Sequence, residues 1–242
     1  MSHNRAPEGH SLFGRYAYPP NELGYCGPTT DGSVSGLAAR AEDFDGTWPY
    51  LSAIAEAVGA TDVLDEEVVR NYWVGGRGLG KVDPAQLLTR LRAAFTGQVT
   101  GLLDTVPATA KVLAHHSFHV LVVYPWTRFL SRDATTAVGV MQDCRIRWGT
   151  VLNVAGDQTE IASRPLQYTS GRLRLGDPRC ERVGWRKGEL TLAPAPKPGA
   201  VVSAHWDWVC ATLSDEEGAE LEAATQATLD LVNSVIGQEQ SK

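Results

Sequence analysis

The chain lacks the features that assign a class at once: paired cysteines, basic runs and long apolar stretches. Its four cysteines (Cys26, Cys144, Cys180 and Cys210) include no C-x-x-C pair, which excludes a zinc ribbon. The opening M-S-H-N-R-A-P-E-G-H has no apolar core of the signal-peptide kind, and no later apolar run reaches the length that spans a bilayer. The expected setting is therefore the cytoplasm, without membrane association, and the cysteines are expected to be free thiols. A net charge of −6 and the lack of any basic run give no footing for a nucleic-acid partner. The glycine-rich run Gly75 to Gly80 lacks the G-K-[ST] ending of a phosphate loop, and H-H-S-F-H lacks the glutamate of H-E-x-x-H.

What is present is ample apolar material, 43% of residues, with an ordinary 21% charged, enough for a packed core in a chain of 242 residues. Periodicity divides the chain. Residues 1–10 read as a disordered polar tail. Phe13 to Pro28, with Pro19-Pro20 and Gly27-Pro28, reads as an ordered loop that holds Cys26 in a tight turn. Helical spacing follows in four stretches: Asp31 to Phe44, Trp48 to Val58 ended by Gly59, Asp65 to Trp73, and a helix opened by Asp83-Pro84 with Leu87, Leu88, Leu91 and Phe95 inward. From Cys144 the period changes to that of a half-buried strand, with Ile146, Trp148 and Val151 on one face and Arg145 and Arg147 on the other. Turn signals at Ala155-Gly156-Asp157, Ser170-Gly171, Gly176-Asp177-Pro178 and Lys187-Gly188 then punctuate short strands. The expectation is an α+β protein: a helical domain over 11–140, then a small β-barrel with a trailing helix over 141–242.

Two groups of residues carry chemistry. In the first half, Cys26 is a candidate nucleophile or ligand, and His115, His116 and His119 fall at ligand spacing if their segment is helical. Against this stand ordinary burial of the cysteine and roles for the histidines in capping or hydrogen bonding. If the four residues form a site, they must share a cavity. In the second half, Cys144 and His205 lie on the first and last parts of the barrel, and barrel closure brings such positions to one rim. A thiolate and a neutral imidazole are donors suited to iron, and Asp207, two residues past His205, is placed to orient the ring. The competing reading is a packed cysteine and a hydrogen-bonded histidine.

Cys144-Arg-Ile-Arg-Trp-Gly149-Thr-Val151 with Val154-Ala-Gly156-Asp157, and Pro198-Gly199-Ala-Val-Val202-Ser-Ala-His205 followed by the acidic helix from Leu213, resemble the HypC/HupF family of [NiFe]-hydrogenase maturation chaperones. The resemblance covers roughly the last 100 residues. It implies an OB-like barrel, a non-enzymatic role, and Cys144 and His205 as ligands of an iron unit bearing cyanide and carbon monoxide. It also implies a HypD-like maturation protein and the hydrogenase large-subunit precursor as partners. Four departures stand out: Cys144 is internal, so its amine is locked in a peptide bond; Trp148 replaces a proline; His205 is followed by Trp206-Asp207-Trp208 instead of a small residue and glycine; and Tyr168 to Trp185 is an insertion. In addition, Y-P-P-N-E-L-G-Y-C-G-P, H-H-S-F-H-V and H-W-D-W-V-C resemble signatures of an uncharacterised bacterial family. The alternative to a metal chaperone is a thiol enzyme with Cys26 as nucleophile, His115, His116 or His119 as base, and Asp31 or Asp207 orienting the base.

Overall fold

The structure is a computed structural model that describes residues 8–29 and 32–239. Among the described residues, seven α-helices precede the first strand: α1 (Glu8–Glu22), α2 (Val34–Ala39), α3 (Trp48–Val58), α4 (Glu66–Trp73), α5 (Pro84–Ala94), α6 (His116–Phe118) and α7 (Ala134–Cys144). Helix α6 continues directly into a π-helical turn, His119–Val123. Side chains at the expected positions start and stop these helices. Asp65 and Asp83 accept backbone N–H bonds at the starts of α4 and α5, and Gly59, at φ 76°, ends α3 in the left-handed conformation that suits glycine. Asp31 lies outside the described residues; Ser33 caps α2 through the N–H of Gly36.

Three expectations fail in this half. Residues 1–7 of the expected tail lie outside the described residues, but Glu8, Gly9 and His10 form the first turn of α1. The stretch from Phe13 is helix as far as Glu22, not loop, with Pro19 and Pro20 inside it. Burial decides this: Leu12, Phe13, Tyr16 and Ala17 form an inward face that outweighs the two missing amide hydrogens. Cys144 does not open a strand but ends α7, and β1 starts only at Arg147.

Nine strands follow: β1 (Arg147–Ala155), β2 (Gln158–Ser163), β3 (Leu166–Thr169), β4 (Arg172–Leu175), β5 (Arg179–Gly184), β6 (Arg186–Lys187), β7 (Leu190–Thr191), β8 (Val201–His205) and β9 (Trp208–Leu213). Five of them pair in the order β1-β2-β5-β9-β8 and close back onto β1 as a barrel. Its lining is β-branched and small: Val151, Ile161, Val183, Val202, Ala204 and Val209. The segment expected as an insertion, Tyr168 to Trp185, is part of the barrel's own frame: it supplies most of the separate hairpin β3–β4 and the whole of the barrel strand β5. Arg145 and Arg147, expected on the solvent face, are buried, because both guanidinium groups turn back to bond main-chain carbonyls.

The chain closes with α8 (Asp215–Glu239), which does not stay beside the barrel. Thr228 Oγ1 shares a 2.8 Å hydrogen bond with Ser117 Oγ of α6, and Asn233 bonds both the N–H and the C=O of Leu173 on β4. From the other end of the chain, Tyr16 Oη of α1 meets Ser203 Oγ of β8 at 2.7 Å. One apolar cluster consequently runs from Leu12 to Ile236 and takes in residues of helices and strands alike. Among the described residues no helix is long and apolar enough to cross a membrane.

Leu229 of α8 is fully buried in that shared cluster. Leu229→Ala should cost about 2–5 kcal/mol, and helical far-UV and aromatic near-UV signals should still be lost in one coincident transition. Two separate transitions would show that helices and barrel unfold independently.

Candidate metal centre

The last turn of α7 exposes carbonyls that no helical N–H can reach. Apart from Met141 O, which keeps its ordinary helical bond, the last carbonyls find donors beyond the helix. Arg145 N–H donates to Met141 O at 3.0 Å, and Arg147 Nη1 donates to Gln142 O and Asp143 O at 3.3 and 3.1 Å. Trp206 N–H also donates to Asp143 O, at 2.8 Å, while Arg147 Nη2 donates to Trp206 O at 2.5 Å. These bonds hold Trp206 at φ 49°, a left-handed conformation that is costly for a bulky residue. The Cys144 carbonyl accepts from His116 Nε2 at 2.9 Å. A helix from the N-terminal half, the helix end and the β8–β9 turn therefore meet at Cys144.

His205, the last residue of β8, reaches the same place from the barrel. Pro20 has no amide hydrogen to give to the carbonyl four residues earlier, which is that of Tyr16. His205 Nδ1 takes the vacancy and donates to Tyr16 O at 2.7 Å. Because a carbonyl only accepts, the proton sits on Nδ1 and Nε2 carries a bare lone pair. That Nε2 is buried and has no hydrogen-bond partner. Asp207, expected to orient the ring, is instead exposed in the turn, and Tyr16 does the orienting.

His116 is the third member. Its Nε2–H is committed to Cys144 O, so Nδ1 is the acceptor, and Tyr72 Oη donates to it at 3.0 Å. The donor atoms of His116, Cys144 and His205 all lie within 4.8 Å of one another, and all three residues are buried. Since metal–nitrogen and metal–sulfur bonds measure about 2.0–2.3 Å, side-chain shifts of about 1 Å bring all three to one ion. Of the two His116 nitrogens, Nδ1 is the one a cation can take over without deprotonating the ring. Tyr72 Oη has a second acceptor, Gly46 O, at 3.4 Å.

The three donors face an enclosed cavity of ≈ 50 Å³, walled by Pro20, Phe44, Trp73 and Tyr124. Trp73 packs on both imidazoles, with ring centroids 4.6 Å from His116 and 5.7 Å from His205. Cys26 and His119 line the same cavity, so the two groups that the sequence kept apart share one space. His119 Nδ1 is buried and unpartnered. Cys26 is exposed on one side, while protein packed on the other pushes its thiol up to about 12. His115 is not part of this. It caps α6, its Nδ1 accepting the Ser117 N–H at 3.1 Å. Cys180 is exposed on β5, and Cys210 is buried with its thiol against Trp208 O.

Sequence reasoning missed Tyr16, Tyr72 and Trp73. The first acts through its main chain, where only the proline four residues later is a signal. The other two form an aromatic pair at the end of α4 whose direction periodicity alone does not give.

Burial keeps the site uncharged. It pushes His116 down to about 4 and His119 and the nearby His115 down to about 3, and it holds His205 well below its ordinary value. Burial also raises the Cys144 thiol well above the usual range. Neutral imidazole is the form that binds metals.

In the unfolded chain the histidines titrate near 6.5, so between that value and the folded one the unfolded state binds more protons and acid favours it. Their contribution to stability is complete above about pH 6.5 and is lost as pH falls toward 4, with a slope of about 1.4 kcal/mol per pH unit for each histidine. The urea midpoint should fall steeply between pH 7 and pH 5; a flat profile would mean that the imidazoles protonate in the folded state.

Neither curated proteins nor solved structures gave a match. A family match does cover nearly the whole chain, residues 5–239, in keeping with the resemblance of its tyrosine- and histidine-rich signatures to an uncharacterised family. The chain belongs to the DUF6390 family, a family of unknown function.

Proposed function

We propose that this protein is a metal-handling chaperone that holds a soft or borderline transition-metal ion, iron in particular, at His116, Cys144 and His205. The observation that carries the reading is the convergence of one thiol and two neutral imidazoles on a small cavity with a largely apolar lining, with the lone pair of His205 Nε2 left without a partner. An unpaired buried polar atom costs about 1–3 kcal/mol, and a metal ion would use it. Thiolate with imidazole suits iron, copper, nickel or zinc better than magnesium or calcium.

A finer reading is that the cargo is an iron unit with cyanide and carbon monoxide ligands, carried during [NiFe]-hydrogenase maturation between a HypD-like protein and the large-subunit precursor in the cytoplasm. In support, the five-stranded closed barrel with a helix behind it has the OB-like form that the resemblance to HypC/HupF implies. Three protein donors also leave coordination positions for diatomic ligands or for a partner's side chain. Unlike the site that the resemblance implies, this one draws a third donor, His116, from the helical half. The thiol-enzyme alternative has less behind it. An activated cysteine has a lowered pKa, whereas burial shifts Cys26 upward.

Purified anaerobically, the protein should bind one equivalent of Fe(II) or Co(II), and affinity should rise about tenfold per pH unit because the Cys144 thiol must release its proton. Cys144→Ser should abolish binding while far-UV circular dichroism stays unchanged. A folded wild-type protein that binds neither ion, or a Cys144→Ser variant that binds as well as wild type, would sink the metal reading. The finer reading predicts infrared bands in the cyanide and carbonyl region, and loss of hydrogenase maturation in cells that carry only Cys144→Ser.

A further inference from the structure

The donors of the buried centre show little surface to solvent: Cys144 is 8%, His116 5% and His205 1% exposed. Any ion that reaches them passes something on the way. On one side the enclosed cavity adjoins an open cleft of ≈ 340 Å³. Tyr25, Cys26, Gly27, Gly46, His119 and Tyr124 line both spaces and so form the partition between them.

Two members of that partition are metal-ligand types. Cys26 is the exposed thiol. His119 is more than nine-tenths buried, and its Nδ1 has no hydrogen-bond partner. The main chain is shaped around both. A Cβ on Gly46 would stand 2.9 Å from His119 Nε2, and one on Gly27 would lie 2.2 Å from the Phe44 ring; only glycine lets the backbone run this close. Gly27 also has φ 81°, which turns the chain just after Cys26. Asn21 Nδ2 donates to the carbonyls of Cys26 and Pro28, both at 2.9 Å, and Tyr25 stacks on Trp206 at 4.3 Å. Asp45 lines the outer cleft together with Asp43, which is paired with Arg40, and negative charge there raises the local concentration of cations.

We infer that Cys26 and His119 form a transfer site, through which a soft transition-metal ion passes between the open cleft and the buried centre. The inference rests on the proposed function of that centre. An ion arriving from the cleft bonds to the Cys26 sulfur, whose proton leaves to solvent, and to the His119 lone pair. It then exchanges these bonds for those to Cys144, His205 and His116. The Cys144 thiol gives up its proton as the Cys26 thiolate regains one, so the exchange needs no oxidant or reductant, and one net positive charge moves inward with a divalent ion. Ligands that act only in passage change rates in both directions and leave the final equilibrium alone.

Co(II) alone is a sufficient probe, because thiolate bonding to it gives a near-ultraviolet charge-transfer band. In stopped-flow mixing, Cys26→Ser and His119→Gln should each reach the wild-type end state of one bound ion with the wild-type spectrum. Loading, and release to excess EDTA, should each slow by about tenfold or more, equivalent to at least about 1.4 kcal/mol in barrier. Cys26→Ser changes one atom at an exposed position, so it tests the idea even if His119→Gln disturbs packing. Wild-type rates in Cys26→Ser would overturn the transfer site while leaving the buried centre standing. Loss of the bound ion at equilibrium in Cys26→Ser would overturn it differently, by making Cys26 a permanent ligand. A wild-type protein that takes up no Co(II) would remove the buried centre, and the transfer site with it.

Discussion

The carbonyl end of α7 is the constraint around which the rest is arranged. A helix that ends inside a protein must find donors for its last carbonyls, and here the donors come from β1, from the β8–β9 turn and from α6. Satisfying that one terminus sets the spacing between the helical half and the barrel. It also fixes where Cys144 stands and which tautomer His116 adopts. Arg147, whose guanidinium completes it, brings positive charge to the negative end of the helix dipole, which offsets part of the cost of burying that group.

The resulting centre is preorganised through neutrality. Four histidines and three cysteines lie in or beside packed surroundings that disfavour every charged form. Without a cation the site carries unmet hydrogen-bonding capacity, at His205 Nε2 and His119 Nδ1. Ordinary cores avoid such atoms, and here they cluster where thiols are also found. The aromatic wall of Trp73, Tyr72 and Tyr16 then limits where the rings can turn, with Tyr16 and Trp73 stacked at 5.3 Å.

Much of this was legible in the sequence, though unevenly. Helices α3, α4 and α5 follow from caps and periodicity, because local chemistry decides them. Periodicity places the change to strands three residues early, at Cys144 rather than Arg147, because alternation in Arg-Ile-Arg-Trp looks the same whether the arginines face water or turn onto main-chain carbonyls inside the protein. Helix α1 was lost to its proline pair, since propensity reports the penalty of proline and not the burial that outweighs it. The ligand-type residues were found, but as two groups. Cys26 and His116 are separated from Cys144 and His205 by long stretches of chain, and spacing rules see only neighbours on one element. His115 was grouped with the others by spacing alone; its φ and ψ, −130° and 148°, make it a cap that begins the helix instead of a residue on its face.

Helix α1 looks like a strut, yet its proline pair makes it a ruler. Pro20 sets which carbonyl is left free, and that carbonyl sets which nitrogen of His205 holds the hydrogen. A helix advances about 100° per residue. Moving the prolines by a single position would therefore point the vacancy away from the barrel, and the imidazole would lose the partner that keeps its other nitrogen bare. The protonation pattern of a ring near the end of the chain is thus written as a phase in the first helix, and insertions or deletions between Tyr16 and Pro20 should be less tolerated than substitutions that keep the count.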